Sequence, residues 1–263
     1  MLPDPNKVHE LLRMVAQEEL LPRLATVERC LKDDGSLLTE ADLAVNARLG
    51  KALARDWPGI DLLTEEAPPD KQQALLHPPR SLLWCLDPLD GTSNFAAGLL
   101  FFAVSLALME KGRAVLGIIY DPIRDESFIA EQGQGATCNG NPLVLEPTDV
   151  SLDCALALVN LKHLEPRLAS RLVHTPPYGS QRSYGACALE LAWLAAGRGH
   201  IALYGRPKIW DVAAGSLILR EAGGMCSTLG GQEPSNRIGA REPMIAARDS
   251  YLFTEWRDWL NGG

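Results

Sequence analysis

Three short segments of this chain set acidic groups where a strand meets a loop or a helix begins: Glu65-Glu66, Asp87-Pro88-Leu89-Asp90-Gly91-Thr92, and Trp210-Asp211. In the middle one, Pro88 and Gly91 force a tight turn that can aim two carboxylates and the Leu89 carbonyl at one point. Such hard oxygen donors suit Mg²⁺, which keeps water and substrate phosphate in its shell. Taken singly, each piece has a plain structural reading. Asp-Pro and Asp-Gly make turns, Glu65-Glu66 can end a solvated loop, and Asp211 can cap the helix it starts. Three of them together, all at element ends, point to a cation site. The helix from Asp211 opens with the small residues Val212-Ala213-Ala214-Gly215, and its free N–H groups suit a phosphate oxygen. Gly91, Thr92 and Ser93 offer a second set of donors.

Other chemistries find little here. The chain has no G-x-x-x-x-G-K-[ST] loop, no H-E-x-x-H and no G-x-S-x-G elbow. Its five histidines are isolated, and its six cysteines form no C-x-x-C pair, so buried, reduced thiols and a cytoplasmic location are expected. Cys187, in Gly185-Ala186-Cys187-Ala188, is a candidate to line a pocket. With 25 Lys and Arg against 33 Asp and Glu, the formal charge is -8. A broad attraction to nucleic acid or anionic lipid is therefore not expected, and an anionic substrate must be held locally. No apolar stretch is long enough to span a membrane.

These residues need a scaffold. The 263 residues bury a core without staples. Periodicity predicts a helix from Asp4 to Leu31 kinked at Pro22, a polar turn Lys32 to Ser36, and a second helix to Ala54 opened by Thr39 with Asp42 three residues on. A strand at Ile60 to Leu63 leads into a mobile loop with Pro68, Pro69, Pro78 and Pro79. Strands follow at Ser81 to Leu86, Phe101 to Met109, Ala114 to Tyr120 and Phe128 to Ala130, with Asp87 to Ser93 a loop. Pro147 and Asp149 mark a boundary between an N-terminal α+β lobe, 1–148, and a C-terminal α/β lobe, 149–263, of one continuous fold. Helices are expected at Leu164 to Leu172, Gly185 to Gly197 and Asp211 to Ala222.

With its motifs assembled, the sequence resembles the inositol monophosphatase family of Mg²⁺-dependent, lithium-sensitive phosphatases over nearly its whole length. The match is carried by Thr39-Glu40-Ala41-Asp42, Glu65-Glu66, Asp87 to Phe95, and Trp210 to Gly215 running on to Glu221-Ala222-Gly223-Gly224. The resemblance implies an α+β fold, the layered αβαβα sandwich shared with fructose-1,6-bisphosphatase. It implies a first Mg²⁺ on Glu65, Asp87 and the Leu89 carbonyl, a second on Asp87, Asp90 and Asp211, and a third, weaker one on Glu65 and water. Thr92 and Asp42 match the pair that positions and deprotonates the attacking water, with Glu65 and Asp90 counted in the catalytic set. Gly91, Thr92, Ser93, Gly185, Cys187, Tyr204, Arg206 and Asp211 are the expected substrate contacts, and Lys32 falls in a loop that closes over the site in relatives.

The expected partner is a small phosphorylated metabolite, most simply inositol 1-phosphate or a related polyol or sugar phosphate, and a homodimer is implied. Tyr204 stands where inositol-specific members carry a Glu, and Gly205-Arg206-Pro207-Lys208 follows as either a solvated loop or a contact for a second anionic group. A 3'(2'),5'-bisphosphate nucleotidase and a regulatory binding protein of the same fold are the alternatives.

Overall fold

The computed structural model describes residues 2–24, 29–31, 37–78, 80–233 and 242–262. Lys32 and the polar turn around it lie outside these. The first helix, α1, is Pro5–Glu19, with Pro at its first position and the Asp4 carboxylate accepting the Asn6 N–H at 3.0 Å. The expected run to Leu31 is corrected: Pro22 brings no N–H, the chain passes through a 3-10 turn at Leu21–Arg23, and Arg29–Leu31 is a strand, β1. β1 pairs antiparallel with β2, Leu37–Thr39. Thr39 then caps α2, Glu40–Asp56, through the expected capping box with Asp42.

After β3, Asp61–Thr64, the proline-rich segment is a helix rather than a mobile loop: α3, Pro69–Leu76, starts at a proline, the one helical position that loses nothing by it. β4 is Leu82–Asp90 and runs straight through the acidic motif, followed by the short α4, Thr92–Ala97. Next come β5, Ala103–Glu110, β6, Arg113–Asp121, and β7, Glu126–Glu131. The glycine-rich stretch after it forms β8, Gly135–Cys138, and β9, Asn141–Leu143. β3 to β9 make one seven-stranded sheet in sequence order, antiparallel except for the β3/β4 pair.

The rest of the chain alternates β10, Leu156–Asn160, α5, Pro166–His174, β11, Ser180–Arg182, α6, Cys187–Ala195, β12, Ile201–Tyr204, and α7, Ile209–Glu221. It closes with β13, Met225–Thr228, β14, Met244–Ala247, and α8, Ser250–Leu260. The second sheet has the order β11-β10-β12-β14-β13.

Side chains alternate across each strand and divide the core into three bodies. Trp84, Leu86, Leu106, Leu108 and Ile118 pack one face of the large sheet against Val8, Leu12, Leu49 and Leu53 of α1 and α2. Cys85, Ala107, Ile119 and Phe128 pack the other face against α6 and α7, whose far side meets Leu158, Ala202 and Ala246 of the small sheet. Val159, Leu203, Ile245 and Ala247 turn outward to α5 and α8. The layers are thus αβαβα, as expected. The middle layer has almost no wet side: in α7 every residue from Val212 to Leu219 is buried. No helix among the described residues is long and apolar enough to cross a membrane.

Candidate active site

The acids of β4 owe their placement to a defect in the strand. Asp87 pairs with Ser105 and Asp90 with Ala103, so three steps on β4 face two on β5. A regular strand would send Asp87 and Asp90 to opposite faces; the one-residue slip allows both to face the same side. Asp87 is 2% and Asp90 6% exposed. Backbone donors anchor both: the Leu89 N–H at 3.0 Å on Asp87, and, in the first turn of α6, the Leu189 N–H at 2.9 Å together with that of Cys187 on Asp90.

Asp211 comes from α7. The helix begins at Ile209, two residues earlier than expected, so Asp211 is its third residue rather than its cap, and its carboxylate accepts the Lys208 N–H at 2.7 Å. Burial, and then the facing charges of Glu65, Asp90 and Asp211, hold the Asp87 carboxyl well above the usual carboxylate range. Asp90 is raised by burial and by Asp211 and Glu190. Asp211 is pushed up to about 7, by burial first and then by Glu65. Glu65, half-buried just after β3, thus faces the other acids across the site. Asp87, Asp90 and Asp211 form no ion pair with a lysine or arginine among the described residues.

Their chemistry, hard oxygens on rigid elements, fits a divalent cation. In the arrangement described, no group of three or more His, Cys, Asp or Glu side chains among the described residues is gathered tightly enough to hold an ion, so binding one requires these side chains to turn toward it.

Beside the acids lies a hydroxyl-carboxylate pair. Asp42 is 1% exposed, and its Oδ2 accepts the Thr39 N–H at 2.8 Å and the Thr39 hydroxyl at 2.5 Å. Its Oδ1 takes the Thr92 hydroxyl at 3.0 Å, which lies equally close to the Leu89 carbonyl. Burial raises the Asp42 carboxyl despite these donors. The turn between β4 and α4 depends on Gly91, whose φ of 93° lies in the left-handed region. A side chain there would also press on the Phe101 carbonyl at 3.1 Å.

The expected substrate contacts divide. Ser93 and Gly185 line one cleft of about 400 Å³, held open on this side by Asn94, whose amide donates to the Phe101 and Tyr184 carbonyls at 2.7 and 2.6 Å. Cys187 sits behind the acids, its thiol raised by burial and by Asp211 and Asp90. Tyr204 is buried, its hydroxyl facing Glu190 without a hydrogen bond of good geometry. Arg206 is exposed and enters no hydrogen bond or ion pair among the described residues. Glu190, absent from the expected set, is 1% exposed on α6 and accepts the Tyr184 and Gly185 N–H groups at 2.6 and 3.0 Å. Its only sequence signal is a charge inside the apolar run Ala188-Leu189-Glu190-Leu191-Ala192.

Comparison with known proteins accounts for nearly the whole chain. The model of the inositol monophosphatase family matches residues 6–257. The inositol-1-monophosphatase of Bacillus subtilis is 34% identical over 228 residues, covering 86% of this chain and 84% of that protein. The Nus factor SuhB of Escherichia coli is 35% identical over 212 residues, covering 78% of this chain and 76% of that one. Among solved structures, the extragenic suppressor protein suhB of Bartonella henselae superposes with a TM-score of 0.84 at 29% identity, covering 98% of each chain.

Proposed function

The chain belongs to the inositol monophosphatase family, and from that membership we propose that it is a Mg²⁺-dependent phosphomonoester hydrolase acting on a small polyol or sugar phosphate. The observation that carries the reading is that Asp87 and Asp90 from β4 and Asp211 from α7 face one another closely enough for their charges to act on each other, with none of them in an ion pair with lysine or arginine among the described residues, next to the Thr92–Asp42 pair. Glu65, Asp87 and the Leu89 carbonyl would hold one Mg²⁺, Asp87, Asp90 and Asp211 a second, and Glu65 a weaker third. Bound there, Mg²⁺ would offset the acids' repulsion of phosphate, lower the pKa of water and stabilise the leaving alkoxide.

The protein's own part is positioning and proton handling. The Thr92 hydroxyl has one proton and two acceptors, so its lone pairs are left to accept from an attacking water, while Asp42 receives the proton. Gly91, Thr92 and Ser93 face the phosphate, and Gly185 opens the way to the leaving group. Cys187 and Tyr204 form the floor behind.

The test is phosphate release with and without Mg²⁺ from inositol 1-phosphate, adenosine 3',5'-bisphosphate, fructose 1,6-bisphosphate and histidinol phosphate. Turnover that requires Mg²⁺ and disappears in Asp90→Asn supports the reading; no turnover of any overturns it. Lithium inhibition is read in the same assay, and a homodimer by sedimentation. A regulatory reading is favoured by the likeness to a protein named Nus factor SuhB. It gains if Asp90→Asn abolishes turnover and leaves the cellular phenotype of a deletion fully complemented.

A further inference from the structure

We propose that the cleft beside the phosphate turn reads a second anionic group, a phosphate or a carboxylate, on the leaving alcohol of the substrate, with Lys162 as its cation. The proposal rests on the hydrolase reading above and names its substrate class.

The cleft runs from Ser93 and Asn94, at the start of α4, past Gly185 to the end of β10 and the loop after it, Asn160 to Lys162. It therefore begins at the turn that would hold the scissile phosphate and ends at a lysine. Lys162 is the one formally charged residue among those lining it. Its side chain is exposed and forms no hydrogen bond or ion pair among the described residues, although the chain as a whole is acidic. The loop that carries it is pinned from below. A Cβ at Gly205 would fall 2.1 Å from the Lys162 carbonyl oxygen, so the 162–164 backbone lies directly on Gly205 and only glycine admits that approach.

The hydrogen-bonding inventory of the walls gives the charge of the ligand. The Asn160 side-chain Oδ1 already accepts the Lys162 backbone N–H at 2.9 Å, which turns the side-chain NH₂ outward as the group it offers. Gln181 is engaged at both ends, its oxygen by the Tyr178 hydroxyl at 2.7 Å and its NH₂ by the Val159 carbonyl at 3.4 Å. The nearby carboxylate, Glu190, is turned inward onto the Tyr184 and Gly185 N–H groups. What remains is the Asn160 NH₂ and the Lys162 ammonium, which only donate, and the hydroxyls of Ser93 and Ser183, which donate or accept, with no carboxylate among the lining residues. A neutral polyol would leave the ammonium without a counter-charge, whereas a second phosphate or a carboxylate accepts from these donors and pairs with it. Arg206 and Lys208, the cations the sequence suggested for this task, do not line the cleft.

Three substrates that differ only at carbon 6 test this: glucose 1-phosphate, glucose 1,6-bisphosphate and glucuronate 1-phosphate, assayed with Mg²⁺ at low ionic strength. The wild type is expected to favour at least one of the doubly charged substrates about tenfold in kcat/KM, mainly through KM, with the preference shrinking as salt is added. Which of the two gains shows whether the cleft takes phosphate or carboxylate. Lys162→Ala should remove most of that preference and Lys162→Arg restore it; circular dichroism shows whether the fold is kept.

A wild type that treats all three alike, or a Lys162→Ala variant that slows all three by the same factor, overturns the inference and leaves the hydrolase standing. If none releases phosphate, the hydrolase reading is decided by the four-substrate panel above. Calorimetric titration of glucose 1,6-bisphosphate against glucose 1-phosphate then decides the cleft: discrimination abolished by Lys162→Ala supports it, and its absence in the wild type overturns it.

Discussion

Replacing Thr92 by valine removes one hydroxyl and almost no volume, and the structure separates its two effects. The helix cap of α2 is untouched, because both Thr39 donors go to the Asp42 Oδ2. The Oδ1 of a carboxylate that is 1% exposed loses its donor. A buried acceptor left without a partner costs about 1–3 kcal/mol. Valine regains part of this through apolar burial at a half-buried position, so the net loss should be about 1–2 kcal/mol, or about 2–8 °C in Tm.

The catalytic effect should be much larger. If Thr92 orients water and hands its proton to Asp42, kcat should fall about 10²–10⁴-fold, with KM nearly unchanged. Asp42→Asn should do similar damage, and the double variant should be little worse than either single one, since the two groups act as one device. Purified variants assayed for phosphate release, with Tm by calorimetry, decide it. A Thr92→Val enzyme within about threefold of wild-type kcat, or losses that multiply in full, would refute the pairing.

Chelation should lower Tm, and added Mg²⁺ should raise it progressively as ligand binding to the native state demands; Asp90→Asn should blunt that rise, and a Tm indifferent to millimolar Mg²⁺ would count against the donor set. His200 accepts the Leu156 N–H on Nδ1 at 2.9 Å and, through burial and then Arg248, has its pKa lowered from 6.5. The unfolded chain then binds the proton more readily, so stability is held above about pH 6.5 and declines as pH falls below it. His200→Asn, whose amide oxygen can take the same N–H, should flatten that part of the Tm–pH curve; an unchanged curve assigns the decline elsewhere. Gly91→Ala should cost about 1–3 kcal/mol through its positive φ and impair turnover more than its stability loss explains, as read by urea unfolding and kcat.

Local signals proved legible where one interaction decides the structure. The Thr39/Asp42 pair announces both the start of α2 and half of the Thr92 relay, because the spacing that caps a helix also fixes that carboxylate. The β5/β6 hairpin follows from two apolar runs around Lys111-Gly112. The errors lie where a strong local signal was outvoted. Pro88 and Gly91 read as a loop, yet β4 continues to Asp90 because the slip against β5 places the proline where the ladder is already broken. The four prolines around residues 68–79 suggested a mobile connection, but one of them sits at the first position of α3. Glu190 and Lys162 carry no motif at all. Their roles appear only when α6 and the loop after β10 are brought to the same turn by long-range packing.

The middle layer of helices shapes how this protein can vary. α1 and α5 each have an outer surface on which polar residues can be exchanged at little cost, but Val212 to Leu219 of α7 touch packed neighbours on every side. Mutational drift should therefore collect on the two outer layers and spare the inner one. A change of size in α7 would be transmitted to the sheets on both of its flanks, and Asp211 at its head would move with it.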